Sequence, residues 1–431
     1  MKFTIFFYFI LVFILINCSS SPNTFEELEV STTITKPNIL LVIVDDVSKD
    51  VIPNYIEGNV KASMPNLQSL MSSGITFDNT WVYSVCSPTR ASILTGKYGV
   101  NTGVIAVGNE ISTNEISLQQ FIKENTNNAY ATALIGKWHL SNNANDPITM
   151  GADYFAGILS GGVSDYNNWS LIENGTSTTS TEYTTTKLTD LAINWTNKQT
   201  KPWFLWLAYN APHTPFHLPP IDLHSQGNLP TDSASINANP LPYYIAALET
   251  LDTEMGRFLK SLSKEERDNT LIIFISDNGS PAKVAQAPYS RQTVKGSLYE
   301  GGINVPMVLS GKGVNRVGVR EAALINATDL YTTIANVAGV KSTEIYNSIS
   351  FKDLFANENG VKRSFIYSEK EDAYTIRNIN YKYIIYNNGI EEFYNLSTDP
   401  YEKSNLIGTT LSSEASIAKT NLITEAESIR K

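Results

Sequence analysis

Four apolar runs of this chain each deliver reactive side chains at their C-terminal ends. Asn38–Val44 leads into Asp45-Asp46, and Leu271–Ile275 into Ser276-Asp277-Asn278-Gly279. Trp203–Tyr209 leads to Ala211-Pro212-His213-Thr214-Pro215, and the weaker run Ala131–Ile135 to Gly136-Lys137-Trp138-His139. Asp45, Asp46, Asp277 and Asn278 offer oxygen ligands only, which suits a hard cation such as Ca²⁺ or Mg²⁺. Zinc would ask for more His or Cys than a chain with four His and two Cys supplies. Taken singly, each stretch also has a plainer reading: Asp-Asp after a strand as a turn or N-cap pair, Asp-Asn-Gly as an ordinary turn, a lone His as structural.

The elements that must position these groups follow from the runs themselves. Unbroken apolar runs, rather than alternating ones, fit strands buried on both faces of a mainly parallel sheet. The C-terminal ends of such strands share one edge, where ligand sites of open α/β folds gather. Asp45, Asp46, Lys137, His139, His213, Asp277 and Asn278 are therefore expected to converge. Helical stretches at Met64–Ser73, Ser117–Glu124, Thr185–Lys198 and Tyr243–Ser263 supply the α/β alternation. In the last, Ala246, Ala247, Leu251, Met255 and Leu259 fall on one broad face.

A fifth stretch runs Cys86-Ser87-Pro88-Thr89-Arg90 to Thr95-Gly96. Pro88 fits a first helical position and Gly96 the residue just past the end, so a short helix is expected over Pro88–Thr95. Cys86 then sits at or just before its N-terminus, where unpaired N–H groups favour an anion such as sulfate. The alternative is a buried free Cys packed as a small core residue.

This stretch, from Ser84 and Val85 through Gly96, resembles the signature of the type I sulfatases of the alkaline phosphatase superfamily, in which the Cys of C-x-P-x-R becomes a formylglycine aldehyde. Its hydrate, a gem-diol, attacks sulfur with one hydroxyl and expels sulfate with the other. The resemblance covers most of residues 37–310. It implies one Ca²⁺ held by Asp45, Asp46, Asp277 and Asn278 together with the formylglycine at Cys86. Arg90 matches the Arg that holds the aldehyde hydrate. Lys137 and His139 lie in the second signature, Gly-Lys-Trp-His, which opens here with Ala129-Tyr130 where the family usually has Gly-Tyr. His213 matches the A-P-H-x-P histidine. Lys295, in Val294-Lys295-Gly296 ahead of Tyr299-Glu300-Gly301-Gly302, matches the late lysine. Phe393-Tyr394-Asn395-Leu396 with Asp399-Pro400 resembles the family's C-terminal strand and turn. The implied roles are charge neutralisation by Lys137 and the cation, positioning and deprotonation of the attacking hydroxyl by Asp277, protonation of the leaving alcohol by His213 and Lys295, and proton removal by His139 to release sulfate.

The expected fold is α/β: a large mixed, mainly parallel sheet with helices on both faces, plus a smaller C-terminal α+β subdomain with an antiparallel sheet. A chain of 431 residues suggests one large and one smaller unit. We place the catalytic domain at 37–340 and the subdomain at 341–431, with short strands near Ser364–Ser368, Ala373–Arg377, Lys382–Tyr386 and Glu391–Leu396 and a helix from about Ser412 to Arg430. Gly175–Thr186 reads as a surface loop or hairpin. The Pro-rich stretch Leu218–Pro242 is long for a connection and borders the expected substrate pocket. Asp165-Tyr166-Asn167-Asn168-Trp169 suits sugar contact or a packed loop.

With 32 basic against 42 acidic residues the chain is mildly acidic, which argues against a nucleic-acid surface. A sulfated polymer would need a local basic pocket, for which Arg90, Lys97, Lys137 and Lys295 are candidates. Met1-Lys2 followed by the apolar run Phe3–Ile16 reads as a secretory signal, too short to span a membrane. Leu15-Ile16-Asn17-Cys18 resembles a bacterial lipoprotein box. It implies a signal peptide over 1–17, lipid on Cys18, a tether over 18–36, and an exported protein held at the periplasmic or outer-membrane surface; a plain secreted protein is the alternative. Cys18 and Cys86 are the two cysteines, so no disulfide framework is expected. The expected activity is sulfate removal from a sulfated carbohydrate, after activation by a formylglycine-generating maturation enzyme. A phosphonate or phosphodiester hydrolase of the same superfamily, or a silent glycan-binding lipoprotein, are the alternatives.

Overall fold

The computed structural model describes residues 36–431, which form one compact unit; the expected signal peptide, the Cys18 anchor and all but the last residue of the tether lie outside the described residues. Ten strands make one sheet: β1 Asn38–Val44, β2 Gly74–Trp81, β3 Ala131–Lys137, β4 Tyr154–Ile158, β5 Trp169–Glu173, β6 Thr176–Ser180, β7 Trp203–Ala208, β8 Thr270–Ser276, β9 Met307–Gly311 and β10 Val319–Asn326. Their order is β10-β2-β9-β8-β1-β7-β3-β4-β5-β6. The centre is parallel, β8-β1-β7-β3-β4, and antiparallel pairings enter with β9 on one side and β5 on the other.

The unbroken apolar runs are explained by burial on both faces. Leu40, Val42 and Val44 of β1 join one core layer, and Ile39, Leu41 and Ile43 the other. The first layer is closed by helices Pro65–Ser72, Thr184–Thr196 and Leu241–Ser261, the second by Cys86–Thr95, Leu118–Asn125 and Asp329–Val337. The helix Pro65–Ser72 has no capping side chain of its own. Asp252 of the facing helix accepts from Asn66 N (2.9 Å) and Leu67 N (2.8 Å), satisfying two of its free donors.

The helix carrying the cysteine begins at Cys86, two residues before the expected start at Pro88, and ends with Gly96 at φ 69°. Pro88 is tolerated there because none of the first-turn N–H groups has an intrahelical partner. The Ser/Thr-rich stretch begins as a hairpin: Asn174 and Gly175, both at positive φ, turn β5 into β6. From Thr184 it becomes helix.

Residues 344–349 form the small hairpin β11 Glu344–Ile345 and β12 Ser348–Ile349. A four-stranded antiparallel sheet follows, in sequential order: β13 Ile366–Lys370, β14 Ala373–Arg377, β15 Tyr381–Tyr386 and β16 Glu391–Asn395. Helix Ser413–Ile429 covers it through Ala415, Ala418, Leu422 and Ala426, a spacing of three and four that marks one helical face.

Candidate active site

The C-terminal ends of β1, β7, β8 and β3 lie side by side at the centre of the sheet, and the polar residues that follow them meet there. Cys86 arrives from the first turn of its helix. Its Sγ lies 3.1 Å from His139 Nδ1. Arg90, one turn further on, is fully buried and donates Nε (3.0 Å) and Nη2 (2.6 Å) to Asp277 Oδ2. Its Nη1 donates to the carbonyl of Lys137 at 2.8 Å. Lys137 Nζ, also buried, donates to Asp45 Oδ2 at 2.7 Å. Lys295 Nζ (2.5 Å) and Asn278 Nδ2 (2.7 Å) both donate to Asp46 Oδ1. His213 Nε2 faces Asp46 Oδ2 at 3.8 Å.

Two backbone features aim these side chains. Asp46 (φ 72°) and His139 (φ 56°) both sit in the left-handed region, a conformation that costs a non-glycine residue on the order of 1–3 kcal/mol and persists only where its surroundings hold it. Asp46 is held by its own N–H, which donates to Asp277 Oδ1 at 3.1 Å. Gly136, at φ 112°, brings β3 so close to β7 that an added Cβ would stand 1.8 Å from the Ala208 carbonyl oxygen. That requirement fixes the glycine of Gly-Lys-Trp-His.

Three carboxylates and three cations leave the cluster balanced, and its titrations are set by neighbours. Burial, with Asp277 nearby, pushes Asp45 up to about 6 against the pull of Lys137. Burial would raise Asp277 as well, but Arg90, Lys137 and Lys295 outweigh it and hold that carboxyl below the ordinary range. Burial pushes the Cys86 thiol up, with Lys137 opposing. His139 is pushed down to about 3 by burial and then by Lys137 and Arg90, so its imidazole is neutral. Lys295 is raised despite its burial because Asp46 holds the charge.

The donor set fits a hard cation. Asp45 Oδ1 and Asn278 Oδ1 are buried with no hydrogen-bond partner. Both are acceptors, so either a cation or a donor must satisfy them. Asp45, Cys86 and Asp277 each offer a ligand atom within 4.8 Å of one another, and Asp45, Asp46 and His213 form a second such group. Asn278 joins through its bond to Asp46.

The seven strand-end residues thus stand together with Cys86, Arg90 and Lys295. Lys97 is not brought in: its ammonium pairs with Glu115 at 2.7 Å and lies over the Tyr346 ring. In Asp165–Trp169 the rings are packed, not presented to a ligand. Tyr166 is buried, stacks on His217 at 3.9 Å, and donates to the carbonyls of Asn210 (3.0 Å) and His213 (2.7 Å), so it supports the His213 loop. Sequence reading missed Gly161 and Gly162. An added Cβ would meet the His139 ring at 2.7 Å from the first and His213 Nδ1 at 2.9 Å from the second. The two imidazoles rest on adjacent bare backbones, and the Gly-Gly pair just after β4 is the signal that could have found them. Asn210 was missed too; it is buried between β7 and His213 with neither amide atom bonded.

Residues 37–340 match the family described as Sulfatase, and residues 293–428 match N-sulphoglucosamine sulphohydrolase, C-terminal. The chain is 31% identical over 366 residues to the "Uncharacterized sulfatase YdeN" of Escherichia coli, covering 70% of this chain and 62% of that protein. It is 26% identical over 352 residues to the "Ulvan-active sulfatase" of Formosa agariphila, covering 76% and 66%. The chain therefore spans less than two thirds of these curated relatives. Among solved structures, the crystal structure of Ps i-CgsB in complex with k-i-k-neocarrahexaose superposes with a TM-score of 0.76 at 26% identity, covering 91% of this chain and 92% of that one.

Proposed function

The chain belongs to the sulfatase family, and from that premise we propose that it hydrolyses sulfate esters of a carbohydrate at the strand-end site, using a formylglycine made from Cys86 and one bound Ca²⁺. The observation that carries this reading is the meeting of Cys86 with Arg90, Asp277, Lys137 and His139 beside two orphaned buried oxygens. A carbohydrate substrate is supported by the relatives, one named for ulvan and one bound to a neocarrahexaose.

Asp45, Asp46, Asp277 and Asn278, with the side chain at position 86, would hold Ca²⁺, which supplies positive charge beside the sulfate oxygens. Position 86, once converted to formylglycine, would supply the nucleophilic hydroxyl. This chain's own side chains do the rest. Lys137, oriented by Asp45, neutralises sulfate oxygens as charge builds. Arg90 and Asp277 form a buried pair that fixes the first turn of the helix carrying position 86. His139 Nδ1, 3.1 Å from that side chain and neutral, can take a proton there. His213 Nδ1 lies 2.7 Å from the carbonyl of Thr214, which can only accept, so Nδ1 carries hydrogen and Nε2 faces the site. Beside Asp46, Nε2 can hold the proton that the leaving alcohol needs, and Lys295 offers a second source.

The protein would also require a formylglycine-generating partner, and Cys18 would anchor it to a membrane as an exported lipoprotein. Cys18→Ala should release it into the soluble fraction; equal partitioning of wild type and variant would remove the anchor. The activity itself is tested by steady-state rates on an aryl sulfate, an aryl phosphonate and a panel of sulfated oligosaccharides. Faster turnover of the sulfates supports the reading. A preference for the phosphonate would move the chain to the phosphonate and phosphodiester hydrolases of the superfamily.

A further inference from the structure

Two walls grow directly out of the active site on the side of His213. One is Thr214-Pro215-Phe216, the residues that follow that histidine. The other is Pro281-Ala282-Lys283, which follows Asp277-Asn278-Gly279-Ser280 beyond β8. Between them, roofed by Ile236 and Asn237 of the short helix Ser233–Ala238, lies a cleft of about 430 Å³. That volume is within the range of small-ligand sites, ~300–1,000 Å³.

The charges around this cleft differ from those of two other hollows among the described residues. Lys283 is exposed, and among the described residues its ammonium bonds only the neutral amide of Asn237, at 3.2 Å. A hollow of about 410 Å³ beside Tyr55 and Tyr289 carries Lys49, Arg320 and Arg377, but Arg320 pairs with Asp78 and Arg377 with Glu300, while Lys49 donates to Asn304. The small hollow behind His139 carries the exposed carboxylate of Glu110, which would repel an anion. The cleft past His213 therefore combines a lysine without a carboxylate partner and an apolar wall. Phe216 is half-buried, its ring set edge-on to Tyr244 at 6.0 Å, so one part of it packs and the rest faces the cleft.

We propose that this cleft is a second sugar subsite. It takes the unit next to the sugar being desulfated, against Pro215 and Phe216, and Lys283 binds an anionic substituent of that unit, either a sulfate or a carboxylate. The proposal rests on the sulfatase reading, because it follows the leaving sugar past the histidine assigned to protonate it. An aromatic or proline face suits the apolar side of a sugar ring, and a solvated lysine suits an anion as a point charge.

The test uses the full chain carrying Cys86→Ala, so that ligands bind without turnover. Three disaccharides share the same cleavable sulfate and differ in the neighbouring unit, which bears a sulfate, a carboxylate or neither. Calorimetric titration should find the anionic disaccharides tighter than the neutral one. Adding Lys283→Ala should weaken the preferred anionic ligand about tenfold, as expected for a charge-assisted hydrogen bond, and shift the neutral one less than about twofold. Lys283→Arg should restore most of the loss. Which anion suffers identifies the substituent. Equal weakening of all three ligands, or no weakening of any, overturns the subsite. If wild type turns over aryl sulfate but none of the disaccharides binds, the subsite fails and the sulfatase reading stands. If wild type turns over no sulfate ester of any kind, the reading itself fails.

Discussion

Two of the molecule's buried charge clusters, around Asp277 and around Glu300, are finished differently. Glu300 lies between the ten-stranded sheet, through Trp81, and the four-stranded sheet, through Arg377 and Lys382. Its carboxylate accepts from Trp81 Nε1 (3.2 Å) and Lys382 Nζ (3.1 Å) on one oxygen, and from Asn304 Nδ2 (2.7 Å) and Arg377 Nη1 (3.2 Å) on the other. Its backbone N–H donates to Glu402 at 2.7 Å, and Glu402 in turn pairs with Lys382 at 2.6 Å. Lys382 lies over the Trp81 ring at 4.6 Å. None of Glu300, Arg377, Lys382 and Glu402 has a left-handed backbone except Glu402, at the turn. The Asp277 cluster has as many ion pairs, but leaves two acceptors, Asp45 Oδ1 and Asn278 Oδ1, without a hydrogen bond, and holds Asp46 and His139 in left-handed backbone; in the Glu300 cluster Glu402 Oε1 also lacks a hydrogen bond but faces the Lys382 ammonium at 2.6 Å. The lesson is that pairing alone does not mark a functional site. What sets the Asp277 cluster apart is that open acceptors and left-handed backbone stand together beside a reactive side chain, Cys86.

Substitutions should separate the two clusters. The largest effect is expected from Asp46→Asn, which keeps the side chain's shape but removes a carboxylate aimed at Lys295, His213 and the expected cation. Turnover should fall on the order of a thousandfold, with a smaller loss of stability than Glu300→Gln because the Lys295 side chain keeps 22% of its surface exposed and can stay solvated once unpaired; steady-state kinetics alongside denaturant unfolding reads both. Glu300→Gln should do the reverse. Breaking a buried pair by removing one partner's charge costs roughly 3–5 kcal/mol of stability, while kcat of the folded fraction stays near wild type. If Glu300→Gln lost turnover but not stability, the division of roles would be wrong.

Calcium sharpens the contrast. At a hundredfold excess over Kd, a ligand that binds the folded state adds about 2.7 kcal/mol. Thermal scans with calcium and with chelator should show this gain in wild type and in Glu300→Gln, and a much smaller one in Asp46→Asn. The smallest effect belongs to Lys49, which reaches into the Glu300 seam through Asn304. Burial pushes its ammonium down to about 8, against the opposing pull of Glu57 and Glu300. Because the unfolded chain holds that proton up to about 10.5, it binds more protons than the folded state between about pH 8 and 10. Stability should therefore rise with pH across that window by about 1–2 kcal/mol relative to Lys49→Met. A flat difference between the two proteins would show that Lys49 is charged in the fold.

Much of this was legible in the sequence where composition follows position. β1, β7 and β8 are unbroken apolar runs because both their faces are covered, and the helix Ser413–Ile429 and strand β14 fall close to where their patterns put them. β2 was not legible, since Gly74-Ile-Thr-Phe-Asp-Asn-Thr-Trp mixes polar and apolar residues without a clean period. Its polar residues do not mark one face: Asn79 Nδ2 donates to the Ala322 carbonyl at the surface, while Thr80 Oγ1 is buried with no hydrogen-bond partner. In the site, the residues that carry charge or a ring lay in recognisable stretches, and the structure gathers them. What stayed hidden was space. Gly161 and Gly162 act by having no side chain, and Lys97 looked like a site lysine until Glu115 and Tyr346 were seen to hold it.

The central claim is that position 86, at the N-terminus of its helix among Arg90, Lys137, His139 and Asp277, is the reacting centre after conversion of its thiol to an aldehyde. The most direct measurement is peptide mass spectrometry of residue 86 in preparations of graded activity. Turnover of an aryl sulfate should rise in proportion to the fraction of peptide carrying formylglycine, and vanish in Cys86→Ala. A fully active preparation in which residue 86 is entirely unmodified cysteine would contradict the account.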